Sequence, residues 1–298
     1  MTTDKMLTQM SQQPGFIAAL DQSGGSTPGA LRLYGIPDSA YSGDAEMFRL
    51  MHEMRVRIMT APAFTGATII GAILFEGTMD GQVHGKPVPT YLWQDRGVVP
   101  FVKVDQGLEP EQDGVRLMRP MPSLDATLAR AVKLGVFGTK MRSVINLASP
   151  RGIDAVVRQQ FEFAERIAKH GLVPIIEPEV LVDSPEKSRA EAILREALTT
   201  HLAAMPEGRR VMLKLTIPET PDFYAPLIGH ARVVRVVALS GGYSQAKACE
   251  RLAANHGMIA SFSRALTEGL VHKMTDSAFD SALADSIGRI YRASTVKL

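Results

Sequence analysis

Eight short runs rich in apolar and β-branched residues recur along the chain and constrain its fold more than any other feature. They read FIAAL (16–20), TIIGAILF (68–75), VVPFVKV (98–104), GVFGTKM (135–141), LVPIIE (172–177), RVMLKLT (210–216), RVVRVVAL (232–239) and GMIASF (257–262). Most are apolar almost without a break instead of alternating, the pattern of strands buried on both faces of a sheet. Successive starts lie roughly 20 to 55 residues apart, room for a crossover helix in most gaps.

Helical signals fall between the runs. Ser149-Pro150 reads as N-cap and first helical position, and Gly171 as the stop. Between them Ile153, Val156, Val157, Phe161, Ala164, Ile167 and Ala168 repeat at helical spacing. Ser184-Pro185 opens a second helix with Ala192, Leu194, Leu198 and Leu202 on its apolar side. Ser244 caps a third that Gly257 ends, the last runs from about Asp276 to Tyr291, and the longest gap holds one near Asp44–Thr60. The stretch GTMDGQVHGKPVPT (77–90) reads as a turn-rich loop. No repeat or linker divides the chain. Eight βα units in 298 residues therefore predict one domain, 1–298, folded as a single (β/α)8 TIM barrel with its active site at the C-terminal ends of the strands. A doubly wound open sheet is the alternative. Its dinucleotide-binding version is weakened because no G-x-G-x-x-G follows an early strand.

Composition narrows the functional class. Hydrophobic residues at 45% and charged residues at 21% exclude a disordered or fibrous chain. A net charge of +2, scattered basic residues and 6% aromatics give no nucleic-acid footprint. No apolar stretch reaches membrane-spanning length, and the first fifteen residues lack a signal-peptide core, so no membrane association is expected. The single cysteine, Cys249, permits no internal disulfide and fits the cytoplasm. It lies among Ala246, Ala248 and Leu252, which suits a buried structural thiol better than a nucleophile. The seven histidines form no H-x-H or H-E-x-x-H pattern, so neither a metal nor another cofactor is expected. The 15 methionines read as core filler. Any helix face is available for burial between subunits, so a homo-oligomer is compatible with the sequence.

Polar residues gather where the runs end, and in a barrel those ends share one mouth. Lys214 is flanked by apolar neighbours in VMLKLT. Burial there disfavours the charged amine, and a second cation such as Lys140 disfavours it further, as attack on a carbonyl requires. A lysine that packs its stem and sends its head to the rim fits the same pattern. Glu177 and Glu179, two apart in extended chain, project to one side, and Pro178 favours that extended geometry. Such a pair separates an acid/base role from a hydrogen-bonding role, or is simply neutralised by Arg or Lys. Asp21 ends the first run before Gly24-Gly25, where an Asx turn or helix cap is equally natural. The turn Ser240-Gly241-Gly242-Tyr243-Ser244 suits a phosphate cradle at a helix N-terminus, with Arg264 adding a donor fork; a plain glycine turn is the other reading. Ser23, Ser26, Lys103 and Arg142 form a second anion site across the mouth, or else ordinary ion pairs with Asp105 and the glutamates.

The segments AALDQS, FVKVDQG, TKMRSV, PIIEPEVL, LKLTIPE, ALSGGYS and SFSRAL, in this order over nearly the whole chain, resemble the class I (Schiff-base) fructose-bisphosphate aldolases. The resemblance implies a (β/α)8 barrel that cleaves a ketose bisphosphate reversibly, without metal. It implies that Lys214 forms the Schiff base, that Glu177 moves protons with Glu179 as partner, and that Asp21 handles the hydroxyl proton in carbon–carbon cleavage. Lys140 then assists the carbinolamine steps. Ser240, Gly241, Gly242, Ser263 and Arg264 fall on the site for the phosphate next to the ketone, and Ser23, Ser26, Lys103 and Arg142 on the site for the other. The sequence after Lys214, Leu-Thr-Ile-Pro-Glu, differs from animal members and resembles a bacterial branch. Gly29-Ala30 stand where animal members have Lys-Arg, which leaves that clamp incomplete or completed by Arg32. The chain ends Ser294-Thr295-Val296-Lys297-Leu298 without the tyrosine-tipped tail of animal members, so Glu177 or water is expected to serve in its proton transfer. The rival readings are another Schiff-base aldolase or transaldolase on a related sugar phosphate, and a non-catalytic sugar-phosphate sensor.

Overall fold

The computed structural model describes residues 2–23 and 27–298. Eight parallel strands pair in chain order: β1 (Phe16–Leu20), β2 (Ile69–Leu74), β3 (Val99–Lys103), β4 (Gly138–Ile145), β5 (Val173–Val180), β6 (Val211–Thr216), β7 (Val233–Leu239) and β8 (Ile259–Phe262). β8 returns to pair with β1, Ile17 opposite Ser261, and β3 pairs with β4. The sheet is therefore closed, and the open-sheet alternative is excluded.

Closure explains the apolar runs. Ile17 and Ala19 face an inner core with Ile73, Phe101, Ile175, Met212, Val237 and Ile259. Phe16, Ala18 and Leu20 face an outer core shared with the helices. A strand covered on both faces has no place for a polar alternate until it reaches the mouth.

The helix Pro150–Lys169 is capped by Ser149, whose Oγ accepts from the Gly152 N–H at 3.2 Å, and Gly171 turns the chain at φ 78°. Ser244 caps Gln245–Ala253, which ends four residues before Gly257. The second helix is Lys187–Ala204, starting later than Ser184-Pro185; the Ser184 hydroxyl accepts from the Glu186 N–H at 3.3 Å ahead of the helix and donates to the Asn146 carbonyl. Its buried face carries Ala190 where Ala192 was expected; Ala192 is exposed. The last helix is longer than read, Asp276–Thr295.

Three further differences bear on the site. β4 starts at Gly138, after a turn at Gly135, and its far end continues past the mouth against the short antiparallel strand Val115–Arg116. Residues 77–90 are not a loop: a hairpin pairs Gln82–Val83 with Lys86–Pro87, turning at His84 and Gly85, both at positive φ. Finally, a helix Thr2–Gln12, absent from the sequence reading, closes the N-terminal end of the lumen. It inserts Met6 and Met10 into the inner core, and Gln9 donates to the carbonyls of Ile70 and Gly97 at 2.9 and 2.8 Å. Among the described residues no helix is long and apolar enough to cross a membrane.

Candidate active site

Alternation and stagger decide which side chains meet in the lumen. Lys140 pairs in register with Ile175, Ile175 with Met212, Lys214 with Val237, and Val237 with Ile259. An eight-stranded barrel is staggered by about one residue per strand. Lys140 of β4, Lys214 of β6 and Ser261 of β8 thus occupy one level, and Glu177 of β5 stands above it.

The contacts follow. Glu177 bridges the two lysines: its Oε1 lies 3.0 Å from Lys214 Nζ and its Oε2 2.8 Å from Lys140 Nζ. Lys140 Nζ also lies 2.5 Å from Asp21 Oδ2. All four side chains are buried. Burial alone would raise the carboxyl pKa values of Asp21 and Glu177, but Lys140 and Lys214 outweigh it and hold both below the usual carboxylate range. Lys140 is held above the usual lysine range: burial opposes its charge, and Asp21, Glu177 and Asp105 more than compensate. Two carboxylates and one lysine of this group are therefore charged at neutral pH.

Glu179 is different. Its partner is Arg142, 2.9 Å away, yet burial, with Glu177 nearby as a like charge, raises its carboxyl pKa. The two glutamates thus do project to one side and do titrate in opposite directions. Pro178 leaves a gap in the ladder of amide donors, and the Glu177 N–H turns outward to the buried Gln160 Oε1 at 2.9 Å.

At the other rim, Gly241 and Gly242 adopt φ 59° and 109°. A Cβ on Gly242 would lie 3.6 Å from a guanidinium nitrogen of Arg264, which locates that fork over the turn. Ser240 is buried beside it, and the Ser263 hydroxyl accepts from Gln22 Nε2 at 2.7 Å. The N-terminus of the following helix is already served: Gln245 N–H donates to Glu268 and Lys247 N–H to Ser244 Oγ.

In the second anion cluster both cations have carboxylate partners. Lys103 Nζ lies 2.6 Å from Asp105 Oδ1, and Arg142 is engaged by Glu179. Ser23 is half-buried at the same strand end as Asp21. Ser26 lies outside the described residues. Arg32, expected as a substitute clamp, is closed on Asp38 by two hydrogen bonds at the surface.

Two residues here escaped the sequence reading. Ser261, on the lumen side of β8, has a buried hydroxyl with no hydrogen-bond partner among the described residues; its alternation with Ile259 and Ser263 was the available signal. Arg55, in the helix Gly43–Thr60, is 1% exposed and donates to Thr78 Oγ1 and to the Gln22 carbonyl. Its place on the buried stripe of Met51, Met54 and Ile58 would have marked it. Cys249 is half-buried, and burial pushes its thiol up to about 11. Among the described residues no three His, Cys, Asp or Glu side chains converge to hold a metal.

Known proteins resemble the chain over most of its length. The family described as fructose-bisphosphate aldolase class-I matches residues 35–218. A fructose-bisphosphate aldolase class 1 of Synechocystis sp. is 59% identical over 97% of both chains. Those of Porphyromonas gingivalis and Clostridium acetobutylicum are 53% and 51% identical, over 97% and 98% of this chain and 98% and 99% of theirs. A solved fructose-bisphosphate aldolase from Plasmodium falciparum superposes with a TM-score of 0.76, covering 100% of this chain and 96% of that one at 21% identity, a likeness of fold. With a closed barrel, paired lysines at its mouth and full-length relatives of this kind, the chain belongs to the class I fructose-bisphosphate aldolase family.

Proposed function

We propose that the whole chain acts as one catalytic domain, cleaving fructose 1,6-bisphosphate reversibly to dihydroxyacetone phosphate and glyceraldehyde 3-phosphate through a Schiff base on Lys214. One observation carries the residue assignment: Glu177 touches Lys214 and Lys140 with its two oxygens, at the barrel end where such sites lie. Glu177 takes a proton from Lys214, whose amine attacks the ketone carbon. The same carboxyl returns a proton to the carbinolamine hydroxyl, water leaves, and an iminium forms. Lys140 stays charged and balances Asp21 and Glu177 through these steps.

Asp21 accepts the proton of the hydroxyl beside the breaking bond. The carbon–carbon bond breaks, its electron pair neutralises the iminium to an enamine, and glyceraldehyde 3-phosphate departs. Protonation and hydrolysis release dihydroxyacetone phosphate and free the lysine. Ser240, Gly241, Gly242, Ser263 and Arg264 bind the phosphate next to the ketone. Ser23, Ser26, Lys103 and Arg142 take the other, with Arg142 sharing its five donors between phosphate and Glu179. Phosphate binding holds the reacting carbon near Lys214, so remote contacts become orientation. A cytoplasmic setting belongs to the same proposal, supported by the single cysteine, Cys249.

Borohydride trapping with dihydroxyacetone phosphate, in the presence of a chelator and followed by peptide mapping, tests the assignment. A reduced adduct on Lys214 is the expected result. An adduct on a different lysine overturns the residue map, and turnover that the chelator abolishes overturns the mechanism.

A further inference from the structure

Arg55 heads the fully buried side chains by size, and among the described residues it makes no ion pair. Burial of this kind weakens its hold on the proton, to a pKa of about 10, which still leaves the guanidinium charged at neutral pH. One arm donates to Thr78 Oγ1 at 2.7 Å, beyond the end of β2. Another donates to the carbonyl of Gln22, the residue after Asp21. The guanidinium carbon lies 5.7 Å from the Phe75 ring centre, and the Nε has no partner among the described residues. Two neutral hydrogen bonds do not require a cation, and a buried guanidinium without a carboxylate is costly. The charge that favours this cation is Asp21.

We propose that Arg55 is a positioning residue for Asp21: its fork fixes the Gln22 carbonyl and the chain leaving β1, aiming the Asp21 carboxylate at Lys140, while its charge adds to that of the lysines facing Asp21. The inference rests on the reading of Asp21 as the group that takes the hydroxyl proton. Asp21 is faced by Lys140 from β4, Lys214 from β6, Lys103 from β3, Glu177 from β5 and Arg55 from the helix Gly43–Thr60. Arg55 is the cation of this group that also grips the backbone beside Asp21.

The partial reactions separate positioning from mere structure, because iminium formation on Lys214 does not use Asp21 whereas cleavage does. In a folded Arg55→Met variant, borohydride trapping with dihydroxyacetone phosphate is expected to stay within about twofold of the parent, with kcat for cleavage down about tenfold to a hundredfold and KM little changed. The acidic limb of the kcat profile moves to higher pH. Arg55→Lys, which keeps the charge and loses the fork, restores the limb but not the full kcat. Parent-like cleavage with an unmoved limb, or an equal loss in trapping and cleavage, overturns the proposal. Should Arg55→Met not fold, Thr78→Val frees one arm of the fork; a smaller loss confined to cleavage supports the proposal, and parent-like cleavage overturns it. Asp21→Asn is measured alongside. Parent-like cleavage by that variant overturns the Asp21 reading itself, whereas an inactive Asp21→Asn beside a normal Arg55→Met overturns only the role given to Arg55.

Discussion

Lys140 is the side chain on which the buried charges depend. It sits between Asp21 and Glu177, and with Lys214 it holds both carboxylates below their usual range. Their contribution to stability is present above the unfolded carboxylate pKa of about 4, and is lost only as pH falls through the lower native values. Lys140→Met takes from Asp21 its partner at 2.5 Å and leaves Lys214 alone to balance Asp21 and Glu177; removing one partner of a buried pair costs about 3–5 kcal/mol. One carboxylate of the variant should then titrate above its unfolded value, so the native state binds the extra proton first and the variant recovers stability as pH falls. The deficit in Tm against the parent is expected to be large at pH 8 and to shrink toward pH 5. A deficit independent of pH would show that the carboxylates are not coupled through Lys140. At this scale the sequence marked Lys140, Lys214, Glu177 and Asp21 because polar residues stand out at the end of apolar runs. Arg55 and Ser261 went unread because a buried polar residue on a helix stripe or a short strand looks like an interruption until its neighbours are known.

Among elements, all eight strands were legible, since apolar runs covered on both sides have few other uses. Their ends were less so. β4 extends past the expected Met141 because Val115–Arg116, distant in sequence, pairs with its far end. Helix caps differ in place: Ser149 and Ser244 cap their helices directly, whereas Ser184 accepts from the Glu186 N–H ahead of its helix and donates to the Asn146 carbonyl just after β4. The turn after β7 shows an element made by conformation. Gly241 holds φ 59°, and a Cβ there would lie 2.5 Å from Val182 Cγ1. The left-handed backbone and the crowding together should cost Gly241→Ala about 2–4 kcal/mol. Denaturant unfolding should show that loss, and KM for fructose 1,6-bisphosphate should rise more than kcat falls. Parent-like KM would remove the turn from the phosphate site.

Across the whole molecule, function and stability divide between the barrel's two ends. The charged mouth lies at the C-terminal ends of the strands, and the helix Thr2–Gln12 seals the other end with Met6 and Met10. Arg235 donates to the Met10 and Gln13 carbonyls and ties the seal to β7. Met10 is wholly buried, so Met10→Ala is expected to cost about 2–5 kcal/mol in urea unfolding. At 25 °C, where the variant remains folded, kcat/KM should match the parent, since the cavity opens far from the lysines; a fall comparable to that of a mouth variant would contradict this division. Strand number, barrel class and the polar residues at the strand ends were set by the sequence alone, because each depends on local patterning and on the short reach between neighbouring strands. Which of those polar residues touch, which are cancelled by a partner, and what closes the far end were decided only by the tertiary structure. Closing the sheet brings together residues such as Gln22 and Ser263, 241 positions apart, and no local pattern encodes that distance.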